Sequence, residues 1–230
     1  MNETLFQAAS LIIPLILAIV FHEVAHGWMA RALGDPTAAE ENRLSLNPLR
    51  HVDMVGTVIL PGLLALAKGP IFGWAKPVPV NKWRLRNPRY GMMLVAAAGP
   101  GINLVMAGLA AVALGGVLAA FGEVTEPSVA ARFLAANLLN FITVNIFLAL
   151  FNLLPIPPFD GSHIVEGLLP RSIAPHFARL HKWGLLVMIA LVVVLPWAVP
   201  GFNPVGDLLL PPFEWVTGKY MALAAGIAGA

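Results

Sequence analysis

The chain has 230 residues, of which 58% are hydrophobic and only 11% are charged, whereas soluble domains carry charge on about a quarter of their residues. This composition indicates an integral membrane protein that has the lipid bilayer as its surroundings. The chain has no cysteine and a formal net charge of only +2, which excludes disulfides, thiolate metal sites and cysteine nucleophiles and gives no indication of nucleic-acid binding.

Four apolar stretches approach or exceed the roughly 20 helical residues that a bilayer core of about 30 Å requires. They run approximately over residues 6–33, 90–121, 133–154 and 183–199. The first ten residues carry no Lys or Arg, so we expect no cleaved signal peptide. A shorter apolar piece, residues 54–67, would rise only about 21 Å as a helix and predicts a re-entrant or half-spanning segment. Prolines interrupt the stretch 205–230, which predicts one more crossing or an interfacial helix.

The predicted fold class is an all-α polytopic membrane protein with four to six transmembrane helices and a short re-entrant or β-like membrane-associated segment. The orientation follows from the basic residues, which concentrate in cytoplasmic loops. Those that precede the second and fourth stretches are Lys82, Arg84, Arg86, Arg89, Arg171, Arg179 and Lys182. We therefore expect the N-terminus outside the cell and the end of the first helix at the cytoplasmic side.

The segment 72–81 (FGWAKPVPVN) cannot form the interior of a helix, because Pro77 and Pro79 lack backbone donors and bias their predecessors to extended geometry. Alternating prolines leave one side of an extended segment unpaired, and such an edge can accept a peptide as an added strand. A stiff connector explains the same prolines equally well, so the two interpretations stay open.

Residues 22–26 (HEVAH) form an H-E-x-x-H pattern inside the first apolar helix. His22 and His26 share one helix face about 5–6 Å apart, which lets both rings bind one zinc ion at roughly 2.0–2.1 Å. Glu23 follows the first histidine, where a carboxylate can take a proton from an attacking water. An ionisable group at membrane depth costs on the order of 2.5–3.5 kcal/mol, which makes a mere packing cluster the less favoured interpretation.

Catalytic zinc usually takes three protein ligands, and Asp160 is the best candidate for the third. It follows an apolar helix that breaks at the prolines of residues 152–161 (NLLPIPPFDG), and non-helical backbone at membrane depth is tolerated where it lines a cavity. His163 is the serious rival. The remaining histidines lie in basic loops that we expect to be exposed: His51, His176 and His181.

Two asparagines add polar groups to the apolar helices. Asn152 ends the helix that precedes Asp160, where its amide can donate a hydrogen bond to the oxyanion formed on attack. For Asn103 an interhelical hydrogen bond is the favoured role.

Together these motifs resemble the site-2 protease family of intramembrane zinc metalloproteases, in its small group without a PDZ domain. The resemblance rests on FHEVAH at 21–26, AGPGIN at 98–103 and NLLPIPPFDG at 152–161, in this order. Two positions depart from the family pattern: Ala25 stands where many members have glycine, and Ser162 where a second glycine is common.

The resemblance implies a role for each residue singled out above. His22, His26 and Asp160 would hold one Zn2+ per chain, with Glu23 as the catalytic base and Asn152 assisting the transition state. A substrate lying beside the proline-containing segment would contact Gly73, Trp74, Pro77, Val78, Pro79 and Asn81. We expect one integral metalloprotease domain over residues 1–230, with a catalytic core at about 6–165 and C-terminal helices in 183–230.

The expected function is hydrolysis of peptide bonds in the transmembrane segments of protein substrates, that is, regulated intramembrane proteolysis. We expect the protein to lie in a bacterial cell membrane with its active site toward the cytoplasmic side. Whether the chain forms a homo-oligomer stays open. Two alternatives remain at this stage: a zinc-dependent membrane hydrolase of a lipid or small amide, and a non-enzymatic metal transporter or scaffold.

Overall fold

The computed structural model describes residues 3–59, 62–63, 66, 74–121, 128–199 and 201–229, and within these ranges the chain is helical without a β-strand. The longer helices are α1 (Glu3–Ala32), α2 (Pro88–Phe121), α3 (Val129–Asn152), α4 (Asp160–Leu168) and α5 (Pro204–Ala228). Shorter turns of α-, 3-10 or π-helix lie at Thr37–Glu40, Pro48–His51, Met54–Ile59, Lys82–Arg84, Ala174–Ala178, Arg179–Trp183, Gly184–Ile189, Ala190–Val194 and Leu195–Ala198.

Three of the described helices, α1, α2 and α3, are long and apolar enough to cross a membrane. Their bounds agree within a few residues with the first three predicted stretches. The fourth stretch, 183–199, is continuously helical over residues 184–198, with a π-helical section at Ala190–Val194 between two α-helical ones. The full range of four to six crossings stays a prediction. So does the re-entrant segment, because only part of 54–67 lies within the described residues.

Helices α1, α2 and α3 form a bundle in which α2 runs antiparallel to α1. His26 on α1 contacts the Val95 carbonyl of α2 at 2.7 Å. About two turns earlier on α1, the Ala18 carbonyl accepts a hydrogen bond from Asn103, which lies later on α2. Helix α3 runs in the same direction as α1. Asn140 donates to the Ser10 carbonyl at 2.8 Å, and further along both helices Asn103 of α2 bridges Asn145 and the Ala18 carbonyl. The end of α1, the start of α2 and the end of α3 therefore lie at one end of the bundle, as alternating crossings require.

Helix α5 packs along α2 and α3 and closes the apolar core. The Tyr220 hydroxyl donates to the Leu104 carbonyl at 3.0 Å. At Gly115 a Cβ atom would come within 2.6 Å of the Ala224 carbonyl, so the close approach of the two helices requires glycine there. The buried core at this interface consists of Ala107, Ala110, Ala111, Leu114, Ile142, Ile146 and Ala224.

The proline-containing segment, here defined as residues 74–81, has no regular secondary structure and is held by its backbone. Trp74 N donates to the Gly56 carbonyl at 3.1 Å, and Lys76 N donates to the His51 carbonyl at 2.8 Å. Arg43 donates to the Lys76 carbonyl at 2.9 Å and to the Pro77 carbonyl at 3.3 Å. His51 is 3% exposed, so the expectation that it lies in an exposed loop is wrong: its ring packs inside and its Nε2 contacts the Ser45 carbonyl.

The far end of this segment is tied to the end of α1 by a buried carboxylate. Asp35 accepts hydrogen bonds from Thr37 N at 3.0 Å and Asn81 N at 2.6 Å. Burial raises the pKa of the Asp35 carboxyl, but the hydrogen bonds from Thr37 and Asn81 outweigh it and hold the pKa below its ordinary value. The ionised side chain fixes where the segment re-enters the fold before α2.

Candidate metal centre

His22 and His26 lie one turn apart on α1 and turn their rings toward each other. Their Nε2 atoms are 3.0 Å apart, and the ring planes are nearly perpendicular. Asp160 at the start of α4 places Oδ2 3.1 Å from Nε2 of His22 and 3.4 Å from Nε2 of His26. Donor atoms around a tetrahedral zinc ion lie roughly 3.3–3.6 Å apart, so these three atoms are close to the spacing that one ion requires.

In each ring, the hydrogen bond of the outer nitrogen, Nδ1, determines whether the inner nitrogen, Nε2, has a lone pair available for a metal. His22 Nδ1 lies 2.6 Å from Asn103 Oδ1, and His26 Nδ1 lies 2.7 Å from the Val95 carbonyl. Both partners are acceptors, because Asn103 uses its amide nitrogen to donate to Asn145 Oδ1 and the Ala18 carbonyl. Each Nδ1 therefore carries a proton in the neutral ring, and each Nε2 presents a lone pair to the shared centre.

The convergence of these atoms is the test of whether a metal fits. Asp160 Oδ2 is buried and accepts no hydrogen bond in the described part of the chain. Two lone pairs and a carboxylate oxygen facing one point repel one another unless a cation lies between them. The donor set of two imidazoles and one carboxylate is one that zinc takes in hydrolytic enzymes, so the residues fit a zinc ion.

Glycines let the surrounding backbone approach this centre. At Gly99 on α2, a Cβ atom would lie 2.5 Å from Cε1 and Nε2 of His26 and 2.6 Å from Cε1 of His22. At Gly161 a Cβ atom would overlap the Leu153 carbonyl, so the turn that carries Asp160 back toward α1 also requires glycine. The pattern Gly-Pro-Gly in α2 is thus explained by contact with the imidazoles at its first glycine.

The centre lies well inside the bundle. His26 and His22 precede the end of α1 at Ala32 by six and ten residues, a rise of about 9 and 15 Å. Gly99 follows the start of α2 at Pro88 by eleven residues, or about 16 Å. The metal-binding atoms are thus within the span of the helices that are long enough to cross a membrane.

Glu23 joins the centre to the proline-containing segment. Its Oε2 accepts a hydrogen bond from Val78 N at 2.9 Å. The Val78 side chain is 7% exposed and packs over Gly27, where a Cβ atom would lie 2.9 Å from Cγ1 of Val78. The carboxylate of the residue that follows the first metal-binding histidine is therefore bound to the proline-containing segment.

Comparison with known proteins identifies the family. A model of peptidase family M50 matches residues 10–195. The chain belongs to peptidase family M50. The Bacillus subtilis (strain 168) protein named "Putative zinc metalloprotease YwhC" is 35% identical over 206 residues, which cover 88% of this chain and 84% of the relative.

More distant relatives of this M50 peptidase come from mycobacteria. The proteins named "Putative zinc metalloprotease Rip2" of Mycolicibacterium smegmatis and Mycobacterium tuberculosis (strain H37Rv) are each 28% identical to it. They cover 77% and 76% of this chain, which spans 64% and 63% of their own lengths. No solved structure matches the chain. The resemblance to the site-2 protease family is confirmed, the M50 peptidase is a metalloprotease, and its relatives imply a zinc cofactor.

The structure of the M50 peptidase brings His22, His26 and Asp160 together, and the rival His163 is not part of this group. The amide of Asn152 instead donates to the Leu148 carbonyl of its own helix at 3.0 Å, so its role in the reaction stays a prediction. Of the expected substrate-binding residues, Gly73 lies outside the described residues. The others, Trp74, Pro77, Val78, Pro79 and Asn81, lie in one segment that runs past Glu23.

Sequence reasoning on this M50 peptidase missed several supporting residues. Gly99, Asn145 and Arg43 carry contacts that no spacing rule predicts, because their partners come from distant parts of the chain. Asn103 forms the interhelical bond expected of it, but it also orients His22. The signal available in the sequence was Asn103, a polar residue one turn after Gly99 in an otherwise apolar helix.

Proposed function

We propose that this chain is an intramembrane zinc metalloprotease, which hydrolyses peptide bonds in the transmembrane segments of other proteins. The observation that carries the proposal is the convergence of His22, His26 and Asp160 inside the helical bundle, beside a carboxylate that is bonded to a proline-containing segment. A hydrolytic centre at this depth meets substrates that are themselves in the bilayer.

His22, His26 and Asp160 would hold one zinc ion per chain through two Nε2 atoms and Oδ2. When bound, zinc supplies a Lewis acid that acidifies water and polarises the carbonyl of the scissile bond. The protein keeps both imidazoles in the tautomer that binds metal through Asn103 and the Val95 carbonyl.

Glu23 is the proposed general base and acid. One carboxylate oxygen, Oε2, is held by Val78 N, which leaves Oε1 to take the proton of the attacking water. The same carboxyl then returns the proton to the nitrogen of the departing amine. The hydrogen bond from Val78 restricts the rotation of the carboxylate and so fixes the direction of both proton transfers.

The proline-containing segment is the proposed binding site for an extended substrate. Trp74, Lys76 and Val78 direct their N–H groups to the protein, and successive residues of an extended chain point to opposite sides. The opposite side is then formed by Pro77 and Pro79, which have carbonyl oxygens but no donors. Arg43 already donates to the Pro77 carbonyl at 3.3 Å, so the Pro79 carbonyl is the acceptor that the described residues leave for a substrate. A substrate that adds there donates its own N–H groups, which requires that its helix first unwinds.

Asn152 is proposed to stabilise the oxyanion that forms on the scissile carbonyl. Its amide donates to the Leu148 carbonyl within the same helix, and rotation of the side chain can exchange this bond for one to a substrate oxygen.

We further propose that the protein lies in a bacterial cell membrane, with its N-terminus outside the cell and the metal centre toward the cytoplasmic side. Its oligomeric state is to be measured.

The test is cleavage of a single-span protein in liposomes that contain the purified enzyme, followed by mass spectrometry of the products. Glu23→Gln is expected to lower the cleavage rate by about 100- to 10,000-fold, because the general base contributes about 10²–10⁴-fold and the amide cannot take its place. Zinc content is expected to stay at the wild-type value. Glu41→Gln, the same change at an exposed acid, is the control and is expected to cleave normally.

Either of two results contradicts the proposal. One is full cleavage by the Glu23→Gln variant with zinc bound. The other is release of free fatty acids or small amides by the wild type with no peptide product, which identifies a membrane hydrolase of another class.

A further inference from the structure

A second group of metal-binding side chains lies on α4, beyond Asp160. His163 and Glu166 face His181 of the 3-10 turn Arg179–Trp183, and one ligand atom from each lies within 4.8 Å of the others. Glu166 Oε2 is 3.8 Å from Nδ1 of His163 and 3.7 Å from Nδ1 of His181. None of these residues takes part in the centre formed by the α1 histidines.

The hydrogen bonds of Ser162 determine the tautomer of His181. The Ser162 hydroxyl donates its only proton to the Phe159 carbonyl at 2.7 Å, so its oxygen accepts a hydrogen bond from Nε2 of His181 at 3.0 Å. The neutral imidazole therefore carries its proton on Nε2 and presents a bare lone pair at Nδ1. This departure from the family's glycine at position 162 thus fixes a neighbouring histidine.

The bare Nδ1 of His181 faces two further acceptors. The Ala178 carbonyl is 3.1 Å away, and Glu166 Oε2 is 3.7 Å away. A lone pair directed at oxygen atoms is unfavourable unless a positive centre lies between them, either a proton or a metal ion.

A metal ion satisfies more of this cluster than a proton does. The rings of His163 and His181 are stacked at 4.5 Å with 16° between their planes, and a proton on His181 serves one ring only. Two imidazoles and one carboxylate are instead a complete set of protein ligands for an ion of the zinc class.

The geometry points to a second divalent-metal site, formed by His163, Glu166 and His181, that binds a zinc-class ion and ties α4 to the turn 179–183. Donors around such an ion lie roughly 3.3–3.6 Å apart, so the Glu166 distances need to shorten by only a few tenths of an ångström. The stacked rings must also turn to aim both lone pairs at one point. His163 has the room, because it lines a cavity of about 700 Å³ and no hydrogen bond within the described residues holds its ring.

The surroundings make this site the weaker of the two. All three side chains are about a quarter to a third exposed, and Lys82 and Arg89 line the same cavity and repel a cation. Arg89 is engaged with the Gly167 and Leu169 carbonyls, which leaves Lys82 as the mobile opposing charge. A chelator is therefore expected to remove this ion before the one at the α1 histidines.

The consequence is a mechanical link to the first centre. Helix α4 begins at Asp160, and His163 and Glu166 follow on the first two turns of the same helix. An ion that joins them to the turn 179–183 restricts the movement of α4 and thus of the Asp160 carboxylate. The inference goes beyond the proposed function, because it holds whatever reaction the first centre performs.

The experiment counts zinc in the purified, full-length protein after equilibrium dialysis against Zn2+. Wild type is expected to hold two equivalents, and Glu166→Gln and His163→Ala one. His176→Ala removes an exposed histidine of the same region and is expected to retain two. Asp160→Ala is expected to lose the tightly bound equivalent, and the double variant Asp160→Ala/Glu166→Gln both.

A second measurement guards against misfolding of the variants. Zn2+ is expected to raise the melting temperature of the Asp160→Ala protein but not that of the double variant. One equivalent in wild type, or two in wild type and still two in both Glu166→Gln and His163→Ala, overturns the second site. If Asp160→Ala retains two equivalents while Glu166→Gln and His163→Ala each hold one, the first centre is wrong and the second stands, so the two assignments fail separately.

Discussion

The bond between Asn103 and His22 can be tested by replacing the asparagine with alanine. Asn103 is fully buried, and its Oδ1 is the acceptor for the outer nitrogen of His22 at 2.6 Å. Without it the imidazole is free to rotate or to change tautomer. Loss of such a partner typically weakens metal binding about 10–100-fold, which is about 1.4–2.8 kcal/mol.

The effect on folding is expected to be smaller than the effect on zinc. Asn103→Ala also removes donors to Asn145 and the Ala18 carbonyl, and interhelical hydrogen bonds in membrane proteins contribute about 0.6 kcal/mol on average. Competition with a chelator of known affinity measures the zinc dissociation constant, and thermal unfolding of the metal-free protein measures stability.

Two further variants separate orientation of the ligand from general damage. Asn140→Ala loses a comparable bond from α3 to α1, at the Ser10 carbonyl, and is expected to bind zinc as the wild type does. Asn103→Asp retains an acceptor for His22 and should keep most of the zinc affinity. Equal zinc loss in the Asn140 and Asn103 alanine variants, or none in either, would refute the reasoning.

Two other predictions concern the glycine of the centre and the carboxylate that anchors the proline-containing segment. Gly99→Ala is expected to abolish stoichiometric zinc binding, because its Cβ overlaps the imidazole rings, whereas Gly101→Ala, which meets no atom within 4 Å, should bind normally; equal zinc contents would contradict this. Asp35 has a pKa below its ordinary value, so it stabilises the fold above pH ~4 and the contribution is lost as the pH falls through its folded pKa. Unfolding measured against pH should show a smaller acid destabilisation in Asp35→Asn than in wild type, and identical profiles would exclude the carboxylate as its source.

The sequence predicted the long helices well, because length and hydropathy alone decide them. The bounds of α1, α2 and α3 follow from long apolar stretches; those of α2 and α3 contain no charged residue over 90–121 and 133–154, and that of α1 contains only Glu23 and Arg31 over 6–33. The stretch 183–199 is also helical, over residues 184–198, but it includes a π-helical section at Ala190–Val194 just before Pro196, which lacks a backbone donor. Apolar composition therefore predicts a helical segment more reliably than it predicts regular α-helical geometry within it.

The metal-binding residues of the centre could be predicted from their spacing in the sequence. Helix periodicity fixes His22 and His26 relative to each other, and the prolines before Asp160 indicate the break in the helix. The residues that support the two histidines cannot be recognised in this way. Asn103, Gly99 and the Val95 carbonyl approach the histidines only because α2 packs antiparallel to α1, and no local pattern specifies that register.

The expectation about the histidine-containing loops failed for a similar reason. His51 was placed at the surface because basic residues surround it, but its backbone carbonyl accepts a hydrogen bond from Lys76 and its ring is enclosed. The net charge of a loop indicates that most of its residues are exposed, but it does not identify the one residue that the fold buries. His181 likewise gained its partners from α4, 15 to 19 residues earlier in the chain.

The bond from Val78 to Glu23 is made by the main chain, and this determines how it can change over time. Any amino acid except proline presents the same N–H at position 78, and the Val78 side chain is buried against Gly27. The exposed neighbours Trp74 and Pro77 can therefore adapt to different peptides while the carboxylate keeps its tether. Substrate selectivity and catalytic reactivity can therefore change independently during the evolution of this enzyme, although one 2.9 Å hydrogen bond joins the proline-containing segment to the Glu23 carboxylate.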